Sequence, residues 1–217
     1  MPALTTVRIW FTKTGEASYI SLLDLQRVMQ RALKRSGLPV WYTLGFNPHI
    51  YMTFACPLPL GQESLVESVD VKTETEAPDL EAWRQALAPA MPLGLEVVRV
   101  ALPAHKAGGI AFARYAVRLP AQSAGALEQY NALESAVVLK KSKRGQKPVE
   151  LKAYAKTLDF AVEGENAAFE MTLPAGEGLN LNPALWLGFL QERFGVDSTR
   201  ANVLRTGLLL EDMQDFS

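Results

Sequence analysis

The sequence predicts an α+β protein built as two split βαβ units in tandem, each with its own antiparallel sheet. Three observations carry this expectation. Short stretches that alternate apolar and polar residues are interleaved with stretches of helical period. The order strand, helix, strand pair, helix, strand is complete by about residue 102. A second series, strand, helix, strand, hairpin, helix, strand, then fills the rest of the chain, repeating element order without residue identity.

The elements follow in order. Residues 6–13 (TVRIWFTK) alternate, with Val7, Ile9 and Phe11 on one face and Arg8, Trp10 and Thr12 on the other. A helix begins at Ser21, where Asp24 three positions on makes a start like a capping box. Its apolar stripe is Leu22, Leu25, Val28, Met29, Ala32 and Leu33, and Arg27, Arg31, Lys34 and Arg35 lie opposite. Gly37 and Pro39 end it, and the cations crowd the end that the helix dipole makes negative. Residues 40–43 (VWYT) read as a short strand. Gly45-Phe46-Asn47-Pro48 reads as a turn, and residues 50–55 (IYMTFA) as the next strand. Residues 65–72 alternate again, with Glu67 oddly on the apolar side, as at a sheet edge or beside an arginine. Residues 78–91 form a second helix with Pro78 in its first turn. Residues 94–102 close the unit as a strand.

The boundary is expected at residues 105–109 (HKAGG), giving units 1–104 and 110–217. In the second unit residues 111–119 form a strand, with Phe112 and Tyr115 breaking its alternation. A short helix at 123–133 and a short strand at 136–139 follow. Residues 140–156 hold seven cations and one acid, Glu150, and read as an exposed hairpin around Gly145 and Pro148. Strands at 158–162 and 168–173 flank Gly164-Glu165-Asn166. Asn182-Pro183 starts a helix whose buried side is Leu185, Trp186, Phe189 and Leu190, and Gly195 ends it. A strand over 200–210 closes the series. Each half thus has the element order of a ferredoxin-like domain.

Composition narrows function. The chain has 217 residues, 48% of them hydrophobic and 21% charged, as a domain with a sizeable core requires. Net charge is −1, so affinity for a polyanion must come from a local patch. A single cysteine, Cys56, rules out an internal disulfide or a cysteine-rich zinc site, and fits a reducing cytoplasm. No signal peptide and no run of about eighteen apolar residues is present, so a cytoplasmic protein without membrane contact is expected. No phosphate-binding loop, dinucleotide fingerprint, nucleophile elbow or metal-ligand spacing occurs, so neither a cofactor nor a metal is expected.

The run YISLLDLQRVMQRALKRSGLPVWYTLGFNPHIYMTFACPLPLGQES resembles the radical-SAM-linked family of bacterial proteins, domains of unknown function found beside or fused to corrinoid-binding radical SAM enzymes. The resemblance continues more weakly through RANVLRTGLLL near residue 200. It implies a radical SAM enzyme as partner. The chain itself lacks an iron–sulfur cysteine motif and is not such an enzyme. Leu23 stands where the family usually has His, Ile50-Tyr51 where it has Pro-Lys, and Glu150-Leu151-Lys152-Ala153 where it has Asp-Ile-Arg-Pro. The first helix and the GFNP segment are also similar, more loosely, to CRISPR repeat-associated RNA-processing proteins, which bind RNA with tandem ferredoxin-like domains.

Two sets of candidate residues emerge. His49 closes the GFNPH segment and reads either as an acid–base or base-stacking group or as a turn-closing hydrogen bonder. Arg27, Arg31, Lys34 and Arg35 on the first helix, with Lys140, Lys141, Lys143, Arg144 and Lys147 on the basic run, read either as solvated surface or as phosphate contacts. Trp10, Trp41, Tyr42 and Phe46 would add stacking surfaces if exposed. The expected function is a non-catalytic accessory protein that binds RNA, tRNA or another structured RNA, or presents a substrate to a radical SAM enzyme. The alternatives are a metal-independent endoribonuclease using His49 and a protein-interaction module.

Overall fold

A computed structural model describes residues 4–142, 145–176 and 178–217. It divides into two compact units, Met1–Ile110 with Asp215–Ser217, and Ala111–Gln214. Both are mixed α/β with antiparallel sheets, and four α-helices are described in all.

The first unit runs β1 (Thr5–Lys13), α1 (Leu22–Ser36), β2 (Met52–Phe54), β3 (Glu63–Thr73), α2 (Leu80–Leu87) and β4 (Val97–Ala101). β1 lies between β4 and β3, and β2 pairs with β3. The core forms where one face of this sheet meets both helices. Val7, Ile9 and Phe11 of β1 and Val69 and Val71 of β3 pack with Leu25, Met29 and Leu33 of α1 and Trp83 and Leu87 of α2. The period-two and period-3.6 patterns are thus each satisfied by one apolar layer.

Helix α1 has the ends its sequence foretells. Ser21 Oγ accepts from the Asp24 amide at 3.1 Å, and Gly37 leaves the helix at a φ of 68°, a left-handed conformation that glycine adopts without strain. Helix α2 is shorter than the sequence suggests. Asp79 caps it, so Pro78 precedes the cap, and after Leu87 the chain tightens into a 3₁₀ turn over Ala88–Ala90, around a proline. The strand expected at 40–43 is reduced to isolated bridges, Val40 to Thr73 and Tyr42 to Ile50. The chain there leaves the edge of β3 and returns at β2, so pairing is made only at the base.

The other face of β1 corrects a second expectation. Arg8 and Trp10, on the second face of a strand expected to be half-buried, are buried too. Residues 215–217 return to this unit, and Phe216 lies 5.6 Å from the Trp10 ring and 4.4 Å from the Arg8 guanidinium. Glu67 is buried in mid-strand opposite Phe11 rather than at an edge.

The second unit runs β5 (Phe112–Pro120), α3 (Ala124–Ala132), β6 (Val137–Ser142), β7 (Gly145–Glu150), β8 (Phe160–Glu163), β9 (Asn166–Pro174), α4 (Pro183–Phe194) and β10 (Asn202–Leu209). β5 lies between β10 and β9, and β8 pairs with β9. β6 and β7 form a separate two-stranded sheet between α3 and β8. Ala113, Tyr115, Val117 and Leu119 are the buried face of β5, so Tyr115 keeps the alternation rather than breaking it. Trp186 of α4 sits at the centre of this core, edge-on to Tyr130 at 5.4 Å and Phe169 at 5.1 Å. Asn182 caps α4 through the Ala184 amide, Pro183 takes the first position, and Gly195 ends it at a φ of 71°.

Candidate functional site

In the first unit the residues from Trp41 to Tyr51 make a small excursion. Trp41 donates from its amide to the Lys72 carbonyl, Tyr51 donates back to Trp41, and Thr43 donates to the His49 carbonyl at 2.8 Å. Inside it the Thr43 hydroxyl accepts from the His49 amide at 3.1 Å, and the His49 ring Nδ1 lies 3.0 Å from the same hydroxyl and 3.2 Å from the Asn47 carbonyl. Nδ1 meets the Thr43 hydroxyl as acceptor or the Asn47 carbonyl as donor, according to the ring's tautomer. His49 therefore closes its own turn.

Leu44 and Phe46 at the tip of the excursion are exposed, Phe46 fully. Of the other aromatic residues considered for stacking, Trp10 is buried, Trp41 is half-buried and Tyr42 is exposed. At the base Trp41 and Tyr51 pack at 6.1 Å, and the Lys72 ammonium sits 4.4 Å from the Tyr51 ring. This cation–π contact absorbs a lysine that the sequence reading left unassigned.

The helix cations Arg27, Arg31, Lys34 and Arg35 share the exposed face of α1, but two are engaged. Arg27 pairs with Asp24 at 3.0 Å, and Arg35 donates to the Ala90 carbonyl at 2.6 Å. The Ser21 hydroxyl, then Arg27, hold the Asp24 carboxyl below its ordinary range. The basic run belongs to the second unit. Lys140 opposes Lys147 and Lys141 opposes Gln146 across β6 and β7. Lys140 donates to the Asn180 carbonyl, Lys147 is exposed, and Lys143 and Arg144 lie outside the described residues.

The base of this hairpin is a polar lock. Glu150 accepts from the Ser135 hydroxyl at 2.5 Å and from the Ala136 and Lys152 amides at 2.7 and 3.0 Å. Ser135 first, then the Ala136 amide, hold its carboxyl below the usual range. Lys152 is not part of an exposed basic surface. It is buried, donates to the Asn131 and Lys156 carbonyls at 3.2 and 2.7 Å, and lies 4.4 Å from the Tyr130 ring. Burial depresses its pKa. Burial likewise pushes the Tyr130 hydroxyl up to about 12, so it stays protonated and donates to the Ala155 carbonyl at 2.6 Å.

Two features escaped the sequence reading. One is Arg8, whose guanidinium grips Asp70 at 2.7 and 2.9 Å and donates to the Ser217 carbonyl at 3.2 Å. The other is a groove of about 610 Å³ between β6 and α4. Leu185 and Phe189, expected in the core, are half-buried and line it with Val137, Leu139 and Gly188. Leu187 takes the core position instead. A glycine inside a helical pattern was the one available signal.

Cys56 is buried. Among the described residues no group of three or more His, Cys, Asp or Glu is placed to hold a metal ion. No described helix is long and apolar enough to cross a membrane, which leaves membrane β-barrels unaddressed.

Among solved structures the chain is similar to the crystal structure of an unknown protein from Galdieria sulphuraria, 14% identical, over 94% of this chain and 99% of that one, with a TM-score of 0.27. No curated protein matches it. A family model described as an uncharacterized protein conserved in bacteria (DUF2344) matches residues 6–183. The chain therefore belongs to this family of uncharacterized bacterial proteins.

Proposed function

We propose that the protein is a non-catalytic accessory that binds structured RNA through its basic surfaces and works beside a radical SAM enzyme. The observation that carries the RNA reading is the hairpin β6–β7. Residues 137–150 hold five cations and one acid, Glu150, in a chain of net charge −1. A patch of this kind attracts a polyanion by counterion release, without base-specific contacts. Arg31 and Lys34 on the exposed face of α1 add a second basic surface. The partner enzyme rests on the resemblance of residues 19–64 to the radical-SAM-linked family.

In fold we infer that both units are split βαβ, ferredoxin-like domains. The strand order β4-β1-β3-β2 in the first and β10-β5-β9-β8 in the second supports this, with β6–β7 as an insertion in the second.

The test is a binding titration with tRNA across salt. Binding at low salt whose logarithm falls linearly with the logarithm of salt is expected. Replacing Lys140, Lys141, Lys143, Arg144 and Lys147 by Ser should flatten that slope by roughly 0.7–0.9 per lost phosphate contact. No binding to tRNA or another structured RNA at low salt removes the RNA reading. Failure to co-purify with a co-expressed radical SAM enzyme removes the partner.

A further inference from the structure

The second face of β1 is covered by a segment that fits it only in part. Asp215–Ser217 belong to the first unit. The buried Phe216 ring lies 4.4 Å from the Arg8 guanidinium and 5.6 Å from the Trp10 ring. The Ser217 carbonyl accepts from Arg8 Nη1 at 3.2 Å and from the His105 amide at 3.0 Å. The Arg8 contact is long beside that residue's bonds of 2.7 and 2.9 Å to Asp70. Those two have the usual length of charge-assisted bonds, about 2.7–2.9 Å. Two further polar groups on this face stay unused. Trp10 and Ser68 stand opposite each other across β1 and β3 and are 6% and 3% exposed. The Trp10 Nε1 and the Ser68 hydroxyl are buried without a hydrogen-bond partner. An indole N–H only donates, and a buried donor left unmet is destabilising. The turn that leads into the segment holds Met213 at a φ of 65°, in the left-handed region that residues other than glycine enter with strain. The cover is thus held by one aromatic ring and one carbonyl, above donors that it leaves unanswered.

We infer that this face binds the carboxylate end of a partner peptide with an aromatic residue beside it, and that Asp215–Ser217 are a strap that closes the site. The strap displays the mode: an aromatic ring on a guanidinium, then an oxygen on Arg8 Nη1 and the His105 amide. The site holds more donors than the strap answers. Arg8 Nη1, Trp10 Nε1, the Ser68 hydroxyl and the His105 amide all donate, and a carboxylate brings two acceptor oxygens where the Ser217 carbonyl brings one. Charge points the same way. Asp70 is taken up by Arg8, whereas the Arg99 guanidinium lies 4.9 Å from the Trp10 ring and has no carboxylate partner among the described residues. Capture of a peptide's terminal carboxylate by converging donors is an established recognition mode. Base edges mix donors with acceptors and match this donor set less well. The site uses none of the residues assigned to RNA. The strap is tethered beside the site and competes at high effective concentration, so a peptide binds well only when the strap is weakened.

The experiment uses the full chain with Phe216→Ala, which removes the ring that holds the strap, and a fluorescein-labelled peptide ending in Asp-Phe-Ser with a free carboxylate. In one control peptide the terminus is a carboxamide; in another the Phe becomes Ala. Fluorescence anisotropy should show the free-carboxylate peptide bound to Phe216→Ala at least ten-fold more tightly than either control. Wild type should bind that peptide at least ten-fold more weakly than Phe216→Ala, because its strap is in place. Ser68→Ala added to Phe216→Ala should weaken the peptide at least three-fold. Alone in wild type, Ser68→Ala should leave the urea-unfolding midpoint unchanged or raised, since the hydroxyl has no partner under the strap. Phe216→Leu, which keeps an apolar cover but loses the ring, takes the place of Phe216→Ala if circular dichroism shows that the latter does not fold. No binding by either strap variant, equal binding of the control peptides, or equal binding by wild type overturns the inference. Undiminished binding after Ser68→Ala, or a lowered midpoint in that variant alone, overturns it as well. A concentration-dependent wild-type dimer that Phe216→Ala abolishes assigns the face to the strap of a second copy and overturns it. Displacement of the peptide by tRNA, with tRNA affinity raised in Phe216→Ala, assigns the face to nucleic acid and overturns it. The RNA proposal is judged separately, since it predicts that tRNA affinity is unchanged by Phe216→Ala.

Discussion

Two regions of the molecule, the β1–β3 pair with the His49 turn and the β6–α4 surface, use their exceptional residues differently. In the first unit polar groups are turned inward or spent on local structure. Arg8 is buried against Asp70, and His49 closes a turn through Thr43 and Asn47. In the second unit apolar groups stay outside, with Leu139 exposed and Leu185 and Phe189 lining an open groove. In the richest stretch of special residue types, around GFNPH, the fold accounts for His49, Thr43 and Asn47 and leaves Leu44 and Phe46 exposed. The plainer stretch, a lysine-rich hairpin and a helix with one glycine, contains surface that the fold does not consume. Unusual residue types mark where a chain must solve a local problem. Unburied apolar residues mark where something outside the chain is accommodated.

This contrast can be broken in several ways, and the largest effect belongs to the buried pair. Asp70→Ala leaves the Arg8 charge buried without its main partner and should cost about 3–5 kcal/mol in urea unfolding. A loss below 1 kcal/mol would mean that Arg8 is not held inward by this pair. Next, Tyr130→Phe leaves the Ala155 carbonyl without its donor and should cost about 1–3 kcal/mol. His49→Ala removes bonds within an exposed turn and should cost about 0.5–1.5 kcal/mol, with no change in any RNA-cleaving activity of the preparation. If wild type cleaves RNA and this variant does not, the turn is a catalytic site and the contrast fails.

A pH effect comes next. The Glu150 carboxyl is held below its ordinary value in the folded chain, so it contributes stability above the unfolded pKa near 4.5. That contribution disappears as the pH falls through the lowered folded value. Wild type should therefore exceed Glu150→Gln in stability at pH 7, and the gap should close on acidification. A gap that is constant with pH would show that the hairpin base does not depend on the ionised carboxylate. The smallest effect is expected on the groove wall, where Leu139→Ser should change stability by no more than about 0.5 kcal/mol. A loss of 2 kcal/mol there would make Leu139 a core residue and remove the contrast from the other side.

Much of the fold is legible in the sequence, because the signals are local. The Ser21 cap, the Asn182-Pro183 start and the glycines at 37 and 195 each act within a few residues of themselves. The hydrophobic period of β1, β3 and α1 names most of the core residues, although Leu22 of the α1 stripe and Leu65 of β3 are exposed. The misreadings have a common form. Residues 40–43 have strand-like composition but find backbone partners only at single positions. Leu185 and Phe189 fall on an apolar helical stripe, yet the stripe is wider than the core it meets, and Leu187 rather than Leu185 turns inward. The candidate cations were legible as a group, but Arg35's use on the Ala90 carbonyl and Lys152's burial were not.

By itself, then, the sequence determined the caps of α1 and α4, the apolar period of the main strands and helices, and where positive charge gathers. Those properties come from the chemistry of neighbouring residues. The tertiary structure alone decided which polar groups are buried and which apolar groups are left over. Arg8 meets Asp70 across 62 positions of chain, and Lys140 meets Asn180 across 40. Hydrophobic attraction has no direction, so it cannot say in advance which of several apolar faces will find a partner. Only the completed packing of the second unit left Val137, Leu139, Leu185 and Phe189 around an open groove.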